Sequence, residues 1–142
     1  MDILVDSSVV LRFVSVDEPM HGPAASKIES LIAEGHRLVF TPQIARECWA
    51  VMTRPVNANG LGLSTEEAGR LMVAVESVLH LLDDVPGIYG EWWRLVRSYA
   101  VTGKQVHDAN HVAAMKAHGI VQILTLDERD FRRYAEITIL KP

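Results

Sequence analysis

The sequence predicts an α/β domain with a mostly parallel sheet, and two kinds of segment lead to this prediction. Short, continuously apolar runs such as 3–5 and 38–40 are typical of strands that are buried on both faces. Between such runs lie longer segments, for example 24–34, in which apolar residues recur at helical spacing. Strands that alternate with helices favour a parallel sheet whose crossovers are right-handed.

In the first half of the chain, a few residues mark where the elements begin and end. Gly35 ends the second predicted helix. Thr41 followed by Pro42 indicates the start of the third, with a hydroxyl N-cap before a proline in the first turn. The predicted elements are a strand over 2–6, helices over 7–14 and 24–34, a strand over 38–40 and a helix over 42–54.

The second half opens with the loop 55–63, which is rich in Pro, Asn and Gly. Ser64 and Glu67 then match a capping box at the start of a helix. That helix runs to 78, and 79–82 is either its end or a third strand. The elements predicted after it are helices over 88–101 and 107–118, a strand over 121–125, a short turn or helix over 127–134 and an edge strand over 137–140. No repeat or linker interrupts this pattern, so 1–142 is expected to be a single domain.

Composition excludes several classes of protein. Of the 142 residues, 49% are hydrophobic and 23% are charged, which is an ordinary soluble composition. Cys48 is the only cysteine, so neither an internal disulfide nor a cysteine zinc cluster can form, and we expect a cytoplasmic protein. The longest run without a charged residue spans 11 residues, 55–65, too few to cross a membrane. Position 2 is an aspartate and no basic segment precedes an apolar one, so no secretion signal is expected.

The net charge of −4 argues against a simple phosphate-binding surface. An acidic protein can nevertheless act on nucleic acid if its acidity is concentrated in a metal site. The positions of the carboxylates therefore decide what kind of function the sequence predicts.

Two aspartates follow predicted strands at the carboxyl edge of the sheet. Asp6 comes directly after the first strand and Asp127 after the fourth, with Asp130 one helical turn further. Ligands of open parallel sheets bind outside this edge, so these aspartates are candidate site residues. An aspartate in the position of Asp6 could equally cap the helix that follows.

Two further carboxylates lie on predicted helices near the same edge. Asp108 lies on the inward-facing stripe of its helix with Val112 and Met115. An aspartate near a helix N-terminus is favoured by the helix dipole, but the dipole does not explain why its side chain faces inward. Glu47 lies at the edge of an apolar stripe, where a partly desolvated carboxylate needs a partner, although an exposed surface position would also suit it. The sequence thus predicts that four carboxylates lie close together, those of Asp6, Glu47, Asp108 and Asp127.

Carboxylates that converge repel one another and become protonated unless a cation intervenes. Hard oxygen ligands without cysteine suit Mg²⁺ or Mn²⁺. Two divalent ions would neutralise four carboxylates, and such a pair can clamp the in-line hydrolysis of a phosphodiester. The predicted chemistry is therefore metal-dependent cleavage of a phosphodiester bond.

Histidines and tryptophans leave alternatives open. His107 and His111 have the i, i+4 spacing of zincin helices, so a zinc hydrolase remains a rival, although no third ligand has a recognisable context. Both histidines could instead flank the acidic site or lie on the surface. Trp92 and Trp93 could stack on unpaired bases, but helical spacing favours a core position for Trp92 and a partly exposed one for Trp93. Arg46 and Arg129 adjoin the acidic segments and are candidate substrate contacts.

Taken in order, four motifs resemble those of the PIN-domain nucleases, and among them the VapC-type toxins of bacterial toxin–antitoxin pairs. The resemblance covers essentially the full length of the chain. The motifs are Ile3-Leu-Val-Asp6-Ser-Ser8, Thr41-Pro-Gln-Ile-Ala-Arg-Glu47, His107-Asp108-Ala-Asn-His111 and Leu124-Thr125-Leu-Asp127-Glu-Arg-Asp130-Phe131. The ordered set is specific, whereas any single member is not.

This resemblance implies a three-layer α/β/α sandwich, Mg²⁺-dependent (or Mn²⁺-dependent) endoribonuclease activity and a cognate antitoxin that occupies the acidic groove. Asp6, Glu47 and Asp108 would be the principal metal-binding and catalytic acids and Asp127 the fourth, although Asp130 could supply the last carboxylate instead. Ser7 and Thr125 are candidates for supporting roles, with Ser7 and Ser8 standing where threonine and asparagine are more usual. The helix over 64–78 and the loop before it could carry a homodimer or antitoxin contact.

The leading hypothesis is thus an RNA-cleaving toxin. A PIN-fold module that binds RNA or a partner with little turnover is the alternative from another functional class. The RNA that is cut and the identity of the antitoxin do not follow from the sequence.

Overall fold

Five parallel strands form the centre of the molecule, in a computed structural model that describes residues 1–142. The strands are β1 (Asp2–Val5), β2 (Arg37–Phe40), β3 (His80–Leu81), β4 (Gln122–Leu124) and β5 (Thr138–Leu140). Their order in the sheet is β3-β2-β1-β4-β5, and every neighbouring pair is parallel. The first strand of the chain is therefore the central one, flanked by β2 and β4.

Seven α-helices flank the sheet and complete a three-layer α/β/α sandwich. They are α1 (Ser7–Val14), α2 (His21–Ala33), α3 (Pro42–Thr53), α4 (Thr65–Val78), α5 (Ile88–Ser98), α6 (Val106–Ala117) and α7 (Glu128–Phe131). Short 3₁₀ turns occupy Val56–Ala58 and Gly103–Gln105. The first helix packs against α2, α3 and α4, whereas α5 packs mainly against α6. None of these helices is both long enough and apolar enough to cross a membrane.

The register of the central strands brings their ends together. Val5 pairs with Leu124, and the backbone N–H of Asp6 continues the ladder by donating to the Leu124 carbonyl at 3.0 Å. The residues that follow β1 and β4 therefore leave the sheet side by side. Asp6 and Thr125 are neighbours for this reason, although 119 positions separate them in the chain.

Burial follows the apolar pattern of the sequence. Ile3, Leu4 and Val5 are each at most 1% exposed, and a cluster of 30 buried hydrophobic residues fills the space between sheet and helices. Continuous apolar strands are expected where helices cover both faces of a parallel sheet. The α/β prediction is confirmed, and the sheet is wholly rather than mostly parallel.

Element boundaries differ from the predicted ones by a few residues. The second helix begins at His21 rather than at 24, because Pro23 falls in the first turn, where backbone N–H groups have no helical partner to lose. The fifth helix ends at Ser98 rather than at 101, since Ala100 adopts a left-handed φ of 51°. The third strand is only two residues long.

The capping box at the start of α4 forms as predicted. The Ser64 hydroxyl accepts from the Glu67 N–H at 3.1 Å, and the Glu67 carboxylate accepts from the Ser64 N–H at 3.3 Å.

Loss of such an N-cap costs about 1 kcal/mol. We expect Ser64→Ala to lower the free energy of unfolding by that amount in chemical denaturation. Ser98→Ala, at an exposed helix end without a side-chain hydrogen bond, is the control and should change it by less than about 0.5 kcal/mol. Equal effects would contradict the capping role.

Candidate metal centre

Asp6 leaves the central strand as a buried carboxylate, with only 4% of the residue exposed. Its Oδ2 accepts hydrogen bonds from the Ser8 hydroxyl at 2.9 Å and the Thr125 hydroxyl at 2.7 Å. Asp6 precedes α1, yet its side chain accepts no capping hydrogen bond from the backbone of that helix. The helix-cap interpretation of this residue is wrong. Two hydroxyl groups hold one oxygen and leave Oδ1 without a donor in the protein.

Glu47 projects from α3 towards the same place and is more fully hydrogen-bonded. Its Oε1 accepts from the Ser7 hydroxyl at 3.0 Å and from His111 Nε2 at 3.1 Å, and its Oε2 accepts from Gln43 Nε2 at 3.0 Å. Burial would raise the pKa of Glu47, but the hydrogen bonds, above all that from His111, outweigh it and lower the pKa. The Glu47 side chain stays 33% exposed, so it remains open to a ligand.

His111 is the buried partner of Glu47, since it is only 1% exposed. Burial would lower its pKa, but the hydrogen bond and the charge of Glu47 outweigh burial and raise the pKa. Potential ligand atoms of Asp6, Glu47 and His111 all lie within 4.8 Å of one another, and no other group of three does so. His107 is outside this group and exposed, so the predicted pairing of the two histidines around zinc has no third ligand.

Asp108, in the first turn of α6, is partly buried and accepts no hydrogen bond from the protein. Burial raises its pKa to about 7, and the negative charge of Asp130 is the next largest cause. Asp6 and Glu47 raise the pKa further, whereas His111 opposes them. The inward direction predicted for Asp108 is therefore observed. Its carboxyl group lies in a field of like charges that His111 compensates only in part.

Asp127 and Asp130 bring two more carboxylates to this field. Partial burial and then the charge of Asp6 and of Asp130 raise the pKa of Asp127, which otherwise lies on the surface. Among charged groups, Asp6 acts most strongly on Asp127, whereas Asp130 acts most strongly on Asp108. The charges of both acids are thus coupled to those of the cluster. Which of them is the fourth ligand stays a prediction, as do the catalytic roles of the whole set.

The two hydroxyl residues proposed as supports face carboxylates. Ser7 donates to Glu47. Thr125 donates to Asp6 and accepts from the Asp127 N–H at 2.9 Å, so it ties the ends of β1 and β4 to the turn that carries Asp127. These hydroxyl groups orient the acidic side chains and are not free to hold a phosphate oxygen in this arrangement.

The two arginines proposed as substrate contacts line different cavities. Arg46 lines a cavity of about 610 Å³ together with Glu47 and His107. Arg129 lines a smaller cavity of about 320 Å³ together with Asp127 and Asp130. Both are exposed, and neither forms an ion pair.

Sequence reasoning missed three residues that order the site. Ser8 is buried beside Asp6 and also accepts from the Leu126 N–H at 3.1 Å. Gln43 bridges Glu47 and the His107 carbonyl, and Asn110 donates to the Gln43 oxygen at 2.7 Å. The signal was spacing, because Gln43 lies four residues before Glu47 on one helix face. His111, for which a position beside the acidic site was one of the alternatives, contacts Glu47.

The donor set fits a hard divalent cation. The free oxygens belong to carboxylates, the only thiol is that of Cys48, whose pKa burial raises to about 12, and no cation of the protein fully balances the carboxylates. Such oxygen-rich, uncompensated sites suit Mg²⁺ or Mn²⁺. His111 is hydrogen-bonded to Glu47, so its position suits a residue that orients a metal ligand rather than one that binds the metal itself.

Comparison with known proteins places this geometry in context. The PIN domain family model matches residues 3–137. No curated protein matches the sequence. Solved structures with similar folds include VapBC2 from Rickettsia felis bound to a promoter DNA fragment, at 11% identity and a TM-score of 0.77 over 100% of this chain and 99% of that one.

Two further structures are similar over nearly their whole length. DNA-bound VapBC from Salmonella typhimurium has 14% identity and a TM-score of 0.73, covering 99% of this chain and 98% of that chain. VapC20 from Mycobacterium tuberculosis, described as a toxin that cleaves the sarcin–ricin loop, has 18% identity and a TM-score of 0.66, covering 93% and 95%. Identities this low establish the shared fold only.

Proposed function

Because the chain belongs to the PIN domain family, we propose that it is a metal-dependent endoribonuclease and the toxin of a toxin–antitoxin pair. Its fold is shared with VapC20, a toxin described as cleaving the sarcin–ricin loop, and this supports RNA as the substrate class. Its likeness to VapBC structures supports a cognate antitoxin as the protein partner.

One observation carries the proposal: the carboxyl group of Asp108 is surrounded by other carboxylates and has no hydrogen-bond donor. Burial first, and then the charges of Asp130, Asp6 and Glu47, raise its pKa to about 7. A purely structural role would not require an acid at this position, since a neutral residue would avoid the repulsion. The cluster is therefore best explained as a site kept for a bound cation.

Asp6, Glu47 and Asp108 would hold the ion, with Asp127 or Asp130 completing the set. A bound Mg²⁺ or Mn²⁺ supplies activation of water and neutralisation of charge on a phosphodiester. The protein's part is to fix the ligand oxygens in advance. Ser8 and Thr125 do this for Asp6, and His111 does it for Glu47.

Two contacts with proteins belong to the proposal. A cognate antitoxin would cover the acidic groove, and a second copy of the chain would form a homodimer. Exposed apolar side chains on α3 and α4, including Trp49 at 38% and Val73 at 67%, support an interface there. Sedimentation of the purified chain alone and together with a candidate antitoxin would test both contacts.

Cleavage of total RNA tests the activity. We expect purified protein to cut RNA in Mg²⁺ or Mn²⁺ and to lose this activity in EDTA, because the cation supplies both the lowered pKa of the attacking water and the neutralisation of charge on the phosphodiester. Readout is the appearance of discrete fragments on a denaturing gel. RNA binding without cleavage, equal in Mg²⁺ and EDTA, would support the binding-module alternative instead.

The zinc alternative has its own test. It predicts stoichiometric zinc in the purified protein and loss of activity when His107 is replaced by alanine. The exposed position of His107 outside the three-ligand group speaks against it. Metal analysis without zinc would exclude it.

A further inference from the structure

A cavity of about 610 Å³ lies next to the acidic cluster, between α3, α5 and α6. Glu47 lines this cavity and is also a member of the proposed metal site. A molecule bound in the cavity would therefore lie directly next to the reacting phosphate. The volume falls within the range of about 300 to 1,000 Å³ that is usual for small-molecule sites.

The wall of the cavity carries a positive charge that the protein does not use. Arg46 lines it, is exposed, and forms neither an ion pair nor a side-chain hydrogen bond. Arg94, by contrast, is paired with Glu91 and Glu136. An unpaired guanidinium one residue from an acidic site suits a phosphate group, to which its planar donors are matched.

Two ring side chains form other parts of the wall. Trp92 lines the cavity, and its indole Nε1 donates to the Val106 carbonyl at 2.9 Å, which fixes the ring against the start of α6. His107 lines the cavity from α6 and is exposed. Bases of single-stranded RNA are recognised by stacking on such rings and by hydrogen bonds to their edges.

Asn110 supplies a polar group of the kind that reads a base edge. Its Nδ2 donates to the Gln43 Oε1 at 2.7 Å, and this bond orients the amide and leaves its Oδ1 without a partner in the protein. Gln43 is itself held by Glu47 and the His107 carbonyl. The cavity wall and the acidic cluster are thus parts of one hydrogen-bonded network.

We propose that this cavity binds the unpaired nucleotide next to the scissile phosphate, with its base against Trp92 and His107 and its phosphate at Arg46. This inference rests on the proposed function and assigns one nucleotide of the RNA a position beside the acidic cluster. A base that is paired in a helix cannot enter such a cavity, because its edge and both faces are already engaged. The sequence favours a core position for Trp92. In the structure its ring packs against the core but is only partly buried.

The test measures binding apart from cleavage. A fluorescently labelled single-stranded RNA and the same RNA in a duplex are titrated in Mg²⁺ against protein carrying Asp108→Asn, so that the RNA stays intact. Arg46→Gln, His107→Ala and Trp92→Leu are added singly. The matched controls are Arg70→Gln and His80→Ala, both of which replace exposed side chains outside the cavity.

We expect each cavity variant to weaken binding of the single strand about tenfold and each control to change it less than about twofold. Duplex RNA should bind more weakly and be insensitive to the cavity variants. Arg46 and His107 are exposed, so their replacement tests the inference even if Trp92→Leu disturbs folding.

Unchanged affinity in Arg46→Gln and His107→Ala would overturn the inference. So would loss of antitoxin binding without loss of RNA binding, which would make the cavity a protein-docking site. Cleavage by the otherwise wild-type chain is scored separately. If RNA is cut in Mg²⁺ while the cavity variants bind normally, the nuclease proposal stands and only the subsite fails.

Discussion

Asp108→Asn should abolish metal-dependent RNA cleavage while leaving the fold intact. The asparagine has nearly the same shape, and Asp108 accepts no hydrogen bond that the change would break. What is lost is a negative charge that the cation needs. Loss even of groups that merely support metal ligands lowers activity by about 10- to 100-fold, so we expect a fall in kcat/KM of at least about 100-fold.

The measurement is single-turnover cleavage of a defined RNA, with circular dichroism to verify the fold. Asp83→Asn is the matched control, because Asp83 is an exposed aspartate in the loop before α5 and outside the acidic cluster. The control should cleave at the wild-type rate. Undiminished cleavage by purified Asp108→Asn protein would remove Asp108 from the site.

Metal-free protein should lose stability as the pH rises from 5 to 7. The pKa of Asp108 is raised from 3.8 to about 7 in the folded chain, so between these values the folded state holds a proton that the unfolded state has released. The stabilisation that this proton contributes is complete at pH values below the pKa of the unfolded state. It is lost as the pH rises through the pKa of the folded state. The raised pKa of Asp127 acts in the same direction.

Other groups do not reverse this trend. The raised pKa of His111 extends the loss above its ordinary value of 6.5, and the lowered pKa of Glu47 matters only below 4.5. Because Asp108 is partly exposed to water, we expect a decrease of about 1 to 2 kcal/mol in the free energy of unfolding, measured in EDTA at constant ionic strength.

Mg²⁺ should oppose the decrease, since it binds the deprotonated carboxylates, and Asp108→Asn should flatten it in EDTA. At pH 7 the variant is therefore expected to be more stable than the metal-free wild type although it is inactive. A wild-type stability that rises between pH 5 and 7 in EDTA would show that repulsion at the cluster is not the dominant effect.

Much of the fold is encoded in local pattern. The apolar run of Ile3 to Val5 predicts a strand buried on both faces, and Thr41-Pro42 and Ser64 with Glu67 mark helix starts that the structure contains. These predictions succeed because side-chain burial and capping depend on neighbours within one or two turns. The predictions of β3 and of the end of α5 were less accurate. A strand of two residues and a single left-handed residue, Ala100, both leave little trace in the sequence.

The site was only partly predictable for a related physical reason. Strand ends and helix faces indicated where Asp6 and Asp108 would point, and the structure places both in one electrostatic field. For His107 and His111 the i, i+4 spacing left three interpretations open: a zinc pair, a flank of the acidic site or the surface. In the folded chain His111 contacts Glu47 from another helix.

The sequence by itself determined the α/β class, the acidic residues and the edge of the sheet at which they emerge, because each depends on the period of one segment. Only the tertiary structure decided that Ser8 and Thr125 share one oxygen of Asp6 and that Glu47 is held by His111. It also decided that Arg46 faces a cavity beside them. Such contacts join residues tens of positions apart, and their geometry is fixed by strand register and helix packing, which no local pattern records.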